Sequence, residues 1–331
     1  MKKKFITAVC LLLAIMLAFS ACSGAASGDE TVTDSPHDSD SSFKAAIVQF
    51  DNDNFTNELR QTFIKRMRLL GYDEAKMKFD IKNAQGSEDK LSQTAASLAG
   101  GGYDIVVAIG DKCAAALAAS GCTVPTVFVA VSDPIGLGLT SSLDSPDKNM
   151  TGTVSNASRD TLLSYIRILT PSVSRIAVIC MNNEKSIAEK DGVTEYLTDD
   201  LFSVEPVVLD ATGSIDSLVS DILTRNDAIY IAGDEELKNV AAEIVTTASA
   251  SSKFVFSSNV YCVESGVLAA SASPVKDLSY NAAEDADEIL KGAKPSDIPI
   301  DTDIAFAIYI SKNTATNFNI DVPQADNVIL F

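Results

Sequence analysis

Residues 105–134 read IVVAIGDKCAAALAASGCTVPTVFVAVSDP. Ile105 to Ile109 is a short, wholly apolar run, Asp111 to Ala119 is an alanine-rich helical stretch, and Thr126 to Val131 is a second apolar run that ends in Ser132-Asp133-Pro134. Short apolar runs without polar alternation belong to strands covered on both faces, and a helix between two of them makes the βαβ unit of a parallel sheet. The stretch therefore predicts an α/β fold.

The alternation extends in both directions. Upstream, Ala45 to Phe50 reads as a strand, and Asn54 to Leu70 as a helix that stacks Phe55, Leu59, Phe63, Met67 and Leu70 on one stripe before Gly71 ends it. Met77 to Asn83 is the next predicted strand, and Ser87 caps a helix reaching Leu98. Downstream, Asp160 to Leu169 reads as a helix that stops ahead of Pro171. The pattern then restarts. Strands are predicted at Arg175–Cys180, Val204–Leu209, Ala228–Ile231, Lys253–Phe256, Val267–Ser271 and Ala305–Ile310. Helices are predicted at Ser186–Leu197, Ile215–Leu223, Glu235–Ala250 and Tyr280–Leu290, the last closed by Gly292. A restart near residue 157 predicts two Rossmann-like lobes with parallel sheets and a small-molecule cleft between them. A single Rossmann-like enzyme is the competing architecture, yet no Gly-x-Gly-x-x-Gly follows the first strand and no P-loop occurs.

The N-terminus has the form of an export signal over residues 1–21: Lys2, Lys3 and Lys4, an apolar core from Ala8 to Phe19, then Ser20-Ala21-Cys22. The apolar core is shorter than the roughly 20 residues of a membrane-spanning helix. Leu17-Ala18-Phe19-Ser20-Ala21-Cys22 resembles a bacterial lipobox, with Phe19 where that motif usually carries Leu, Val or Ile. The resemblance implies a diacylated Cys22, with membrane contact through that anchor only. Residues 22–42 carry almost no large apolar side chains and are expected to form a flexible tether.

The chain holds 26 basic and 45 acidic residues, a net of −19, and removal of the three signal lysines takes this to −22. Nucleic acid and anionic lipid would be repelled, and the charge serves solubility as readily as it reports on a ligand. The one histidine, His37, lies in the tether. Imidazole catalysis and a histidine-rich metal site are therefore not expected in the folded part, nor is any cofactor. Cys113, Cys122, Cys180 and Cys262 lack zinc-type spacing. Buried free thiols are expected, with a Cys113–Cys122 disulfide as the alternative that export would permit.

Open α/β sheets bind ligands beyond the carboxyl ends of their strands, close to helix N-termini. In the first half these ends are Asp51 and Asn52, Gly110 and Asp111, and Ser132 and Asp133; in the second they are Asn182 and Asn183, Gly233 and Asp234, and Ser257, Ser258 and Asn259. These residue types are also preferred caps and turn formers, so each position has two readings. Asp133, for instance, could pair with a ligand ammonium or cap the segment from Ile135 to Leu139. The candidate ligand contacts are Asp51, Asn52, Gly110, Asp111, Ser132, Asp133, Asn182, Asp234, Asn259 and Tyr261. Phe50, Phe55 and Tyr261 could stack on a planar ligand, although Phe55 lies in a helical stripe that also suits the core. Catalysis finds little support: Ser132 has no histidine to activate it, and Glu235 and Glu236 fall in a helical pattern on a face turned to solvent.

Six short segments narrow the reading: Gly71-Tyr72, Asn83-Ala84-Gln85-Gly86, Pro125-Thr126-Val127-Phe128, VSDPIGLGL over 131–139, Asn149-Met150-Thr151-Gly152, and Lys291-Gly292 with Pro295, Ile298 and Pro299. Over most of residues 44–320 the chain resembles the ABC transporter substrate-binding protein family that includes the tryptophan- and tyrosine-binding lipoproteins. The resemblance implies the type I periplasmic-binding fold with three crossovers at a hinge. The expected lobes are then 43–156 plus 273–300 and 157–272 plus 301–331. It further implies a monomer without catalytic activity that closes on a small molecule, an amino acid with aromatic ones among the options. Delivery would be to an ABC permease and its ATPase, from the outer face of the bacterial cytoplasmic membrane. A ligand-sensing receptor that signals to a membrane partner is the alternative role.

By the same resemblance, Ser132 and Asp133 match the family's Thr/Ser-Asp-Pro element, and Asn182 the Asn after the first strand of the second lobe. Hydroxyl and backbone donors would hold a carboxylate, and an acid would hold an amino group. Two departures bear on the ligand. Gly110-Asp111-Lys112 stands where relatives usually carry a small hydroxyl residue, and Asp111 would repel a ligand carboxylate unless it faces away or pairs with Lys112. Ser271-Ala272-Ser273-Pro274 replaces an Asp-Tyr-Tyr-like pattern.

Overall fold

A computed structural model describes residues 42–155, 159–199, 202–209 and 214–331. The expected signal, Cys22, His37 and nearly all of the tether lie outside the described residues, as do the side chains of Glu235 and Glu236. Among the described residues no helix is long and apolar enough to cross a membrane.

The first sheet consists of β1 (Phe43–Gln49), β2 (Met77–Asn83), β3 (Ile105–Ile109), β4 (Thr126–Val131) and β5 (Met150–Val154), all parallel, in the order β2-β1-β3-β4-β5. The second begins the same way. Its strands β6 (Arg175–Met181), β7 (Ser203–Leu209), β8 (Ala228–Ile231), β9 (Phe254–Ser257) and β10 (Ala269–Ala272) run parallel in the order β7-β6-β8-β9-β10. The sheet then continues through β11 (Ala307–Ile310), antiparallel to β10, and β12 (Val328–Leu330), parallel to β11. Two sheets with the same strand order match the predicted fold class.

Alternate residues of each strand feed opposite faces, as a two-residue period requires. On β1, Ala45 and Ile47 join α1 (Asn54–Leu69) and α8 (Val275–Leu290), while Ala46 and Val48 join α2 (Glu88–Ala99) and α3 (Gly110–Ala119). On β6, Ile176 and Val178 meet α4 (Arg159–Leu169) and α5 (Glu184–Asp199), while Ala177 and Ile179 meet α6 (Ile215–Leu223) and α7 (Glu235–Ala250). The predicted stripe on α1 is buried at Phe55, Leu59, Phe63 and Met67, each worth about 1.5–3 kcal/mol against exposure. Gly71, at φ +101°, ends that helix: Tyr72 N–H donates to Met67 O (3.1 Å) and Gly71 N–H to Arg68 O (3.1 Å).

Four elements differ from the sequence expectation. β5 goes unnoticed in the sequence because Gly152 interrupts its strand pattern. That glycine lies so close to β4 that a Cβ would fall 2.0 Å from Phe128 O. Helix α8 starts at Val275 and not Tyr280, because Pro274 serves as its N-cap at φ −60°. The short α9 (Lys312–Asn317) and β12 lie in what reads as a tail.

Although α8 follows β10 in sequence, it packs on the first sheet. Ser279 Oγ donates to Leu59 O (3.1 Å), and Thr153 Oγ1 donates to Leu278 O (3.3 Å). The chain thus changes sheet between β5 and α4, between β10 and α8, and between Asp301 and β11. Val154 N–H donates to Asp301 O and Asp301 N–H to Gly152 O, both at 2.9 Å, so two of these passages are tied side by side.

Candidate functional site

A cavity of about 440 Å3 lies between the carboxyl ends of the two sheets, within the usual range for small-molecule sites. The first sheet contributes Phe50, Asp51, Asp53, Phe55 and Thr56 after β1, Ile109, Gly110, Asp111 and Lys112 after β3, Ala130 and Ser132 at the end of β4, and Ser155 after β5. The second contributes Asn183 after β6, Gly233, Asp234 and Lys238 after β8, Ser258, Asn259, Val260 and Tyr261 after β9, and Ser271 and Ala272 on β10.

The loop after β1 is positioned from below by buried Gln49, whose Nε2 donates to Asp51 O (2.6 Å) and to Asn57 Oδ1 (3.2 Å). Asp53 caps α1: Oδ1 accepts from Thr56 N–H (2.7 Å) and Oδ2 from Thr56 Oγ1 (2.9 Å). Its burial, then its hydrogen bond to and repulsion by Asp51, push its carboxyl up to about 7. For Asp51, burial works upward but is outweighed by hydrogen bonding to Asp53 and by the Lys238 ammonium, so this carboxyl is held below its ordinary value. The two carboxyls are thus pushed in opposite directions, Asp51 toward the charged form and Asp53 toward the protonated one.

Lys238 answers that charge from the other sheet. Its Nζ lies 3.4 Å from Asp51 Oδ2, 3.7 Å from Asp53 Oδ2 and 4.4 Å from the centroid of the Tyr261 ring. Glu264 adds a second contact between the lobes, its Oε1 accepting from the N–H groups of Asn54 (2.8 Å) and Phe55 (3.3 Å) at the start of α1. The Phe55 and Tyr261 rings meet edge to face at 5.1 Å.

The expected contacts divide. Asp51, Gly110, Asp111, Ser132, Asp234, Asn259 and Tyr261 line the cavity; Asn52, Asp133 and Asn182 do not. Asn52 turns to the neighbouring strand end, its Oδ1 accepting from Asn83 Nδ2 (2.6 Å). Asp133 follows the inward-facing Ser132 and points the other way, where Oδ1 accepts from Gly136 N–H (2.8 Å); of its two sequence readings, the capping one is what the geometry displays. Asn182 is exposed, and the next residue, Asn183, takes the wall position, donating from Nδ2 to Asp234 Oδ2 (2.7 Å). Of the aromatics, Phe50 and Tyr261 are on the wall and each carries a lysine over its ring, Lys112 at 4.2 Å from the Phe50 centroid. Phe55 is on the wall and buried, against Tyr261 and Tyr309.

Sequence reasoning missed Asp53 and Lys238. Asp53 carries the signal of an N-cap directly after a strand end. Lys238 lies one turn into a helix that begins at a strand end, where a long side chain reaches back over the N-terminus. Asp111 pairs with neither Lys112 nor solvent alone: Oδ1 accepts from Ser132 N–H (2.7 Å) and Oδ2 from Ser132 Oγ (2.5 Å), while Lys112 bridges to Glu88 (3.0 Å). The four cysteines are free, with Cys113, Cys180 and Cys262 buried; burial pushes the Cys113 thiol up to about 12 and also raises Cys180.

A profile of the family described as "ABC transporter substrate binding protein" matches residues 44–329. The chain belongs to this family. A tyrosine-binding protein of Clostridioides difficile (strain R20291) is 26% identical over 323 residues, covering 96% of this chain and 94% of that protein. Among solved structures, the ABC domain in complex with L-Trp from Streptococcus pneumonia superposes with TM-score 0.73 at 26% identity, covering 87% of this chain and 100% of that one. A ligand-free, open substrate-binding protein with adhesive properties from Clostridium difficile gives 0.72 at 24%, over 87% and 99%. The second of these structures supports the fold alone. Together they match the type I periplasmic-binding architecture expected of an ABC substrate-binding protein.

Proposed function

We propose that this ABC substrate-binding protein captures a small molecule with a planar ring in the cavity between its lobes and delivers it to an ABC permease and its ATPase. It would work from the outer face of the cytoplasmic membrane, held there by a diacylated Cys22. The lobes are 43–156 plus 273–300 and 157–272 plus 301–331, and the ligand contacts are drawn from Asp51, Gly110, Asp111, Ser132, Asp234, Asn259 and Tyr261.

One observation carries the reading: strand ends from both sheets, and aromatic rings from both, meet on a single cavity. A ligand that touches both lobes stabilises the closed arrangement by its differential contacts, which is what a capture protein needs. The named relatives make tyrosine, tryptophan and close analogues the first compounds to test.

The test is a thermal-shift screen of the protein against amino acids, nucleosides and small heterocycles, since a ligand of the native state alone must raise the melting temperature. A rise that disappears in Tyr261→Ala supports capture in this cleft. A rise that survives both Tyr261→Ala and Asp234→Ala places the ligand elsewhere and overturns the proposal.

A further inference from the structure

A ligand carboxylate is held in a protein by N–H and O–H donors or by a cation. At two places in this cleft, one on each lobe, a paired N–H and hydroxyl is already taken by a carboxylate of the chain itself. At the end of β4, both the Ser132 N–H and the Ser132 hydroxyl donate to Asp111, at 2.7 and 2.5 Å. Across the cavity, the Gly233 N–H donates to Glu189 Oε2 (2.9 Å), and the Ser258 hydroxyl donates to Oε1 of the same side chain. The two lobes thus repeat one device, an internal acid occupying a paired N–H and hydroxyl.

The cations are engaged as well. Lys238 faces the Asp51–Asp53 pair and the Tyr261 ring, and Lys112 lies between Glu88 and the Phe50 ring. Against these two lysines the wall sets the carboxylates of Asp51, Asp111 and Asp234, with the raised carboxyl of Asp53 beside the first. A carboxylate has about four acceptor positions, and Asp111 spends two of them on Ser132. A second carboxylate brought to Ser132 or to Gly233 and Ser258 would meet like charge with those donors already taken, whereas an ammonium would find acceptors on both lobes.

We infer that the cleft takes an aromatic amine that lacks a carboxylate, with its ammonium facing Asp111 and Asp234 and its ring against Tyr261. This rests on the cleft being the capture site proposed above, and it narrows the ligand to cations.

Calorimetric titration of the protein at neutral pH with tyramine, tryptamine, tyrosine and tryptophan tests it. The expected result is that an amine binds at least about ten-fold more tightly than its parent amino acid. Asp111→Ser, which removes the acid and frees the Ser132 donors, is expected to narrow or reverse that ratio. Equal or tighter binding of the amino acid to the unmodified protein overturns the inference and leaves the capture function standing. Silence toward all four compounds overturns the inference together with the aromatic reading of the ligand, and a nucleoside or heterocycle emerging from the thermal screen would then keep capture alone.

Discussion

Lys238 Nζ reaches across the cleft to within 3.4 Å of Asp51 Oδ2, and this ammonium is shared with Asp53 and with the face of Tyr261. A residue of α7 in one lobe therefore neutralises the end of β1 in the other. The contact is partly exposed, which limits it to about 1 kcal/mol.

Lys238→Met should accordingly shift the ligand-free protein toward an open form by about five-fold in the open-to-closed ratio. Small-angle scattering would register this as a larger radius of gyration without loss of secondary structure by circular dichroism. An unchanged scattering profile would mean that the lobes are held by other contacts, of which Glu264 on the α1 N–H groups is the first to examine.

Asp53 should make stability fall as pH rises toward neutrality. In the unfolded chain its carboxyl loses its proton near 3.8, whereas burial, Asp51 and repulsion keep the folded carboxyl protonated up to about 7. Between those values the folded state binds more protons, so the contribution present below 3.8 is lost as pH climbs through 7. Asp53→Asn retains a capping oxygen and does not titrate. Its melting temperature should vary less than that of the unmodified protein between pH 5 and 8 (roughly the range bracketing the folded value), and parallel curves would count against a raised Asp53 carboxyl.

Asp285, on α8 and within the field of Asp301, poses the same question. Burial, followed by the charges of Asp301, Glu288 and Glu284, raises its carboxyl to about 7, and Oδ2 is buried without a hydrogen-bond partner. The folded form again holds the proton that the unfolded chain releases, so stability is lost as pH rises through 7. Asp285→Asn should stabilise the protein by about 1–2 kcal/mol on the alkaline side and leave it nearly unchanged in acid, as read by urea melts at both ends.

Gly152→Ala should be among the costliest single-methyl additions in the chain. The new Cβ would sit 2.0 Å from Phe128 O and 2.7 Å from Phe128 N, at φ +146°. Strain and overpacking together should cost roughly 3 kcal/mol or more. Gly71→Ala, with nothing within 4 Å of its Cβ and only its φ of +101° to strain, should cost about a third of that, so the two melting temperatures give a direct comparison.

What was legible in the sequence follows from local rules. The apolar runs of β1, β3 and β4 read as doubly covered strands, and Leu59, Phe63 and Met67 as the inward stripe of α1, while Phe55 kept two readings and serves both, in the core and on the cavity wall. The resemblance carried in segments such as VSDPIGLGL pointed to the family that the profile match over residues 44–329 then showed. Of the nine candidate contacts that the strand-end rule supplied, six line one cavity, and Tyr261, taken as a stacking residue, lines it too. The rule failed at Asn52, Asp133 and Asn182 because neighbouring residues leave a strand on opposite sides, and composition cannot fix the phase.

The sequence by itself determined the α/β alternation, the two lobes and the family, since these depend on periodicity and on short motifs read within one segment. Only the tertiary structure decided that Gly152 makes room for β4, that Lys238 spans the lobes to Asp51, and that Asp111 and Glu189 occupy the donors of Ser132, Gly233 and Ser258. Each of these joins residues at least 20 positions apart whose approach is set by packing of whole sheets and helices, a quantity that no local spacing encodes.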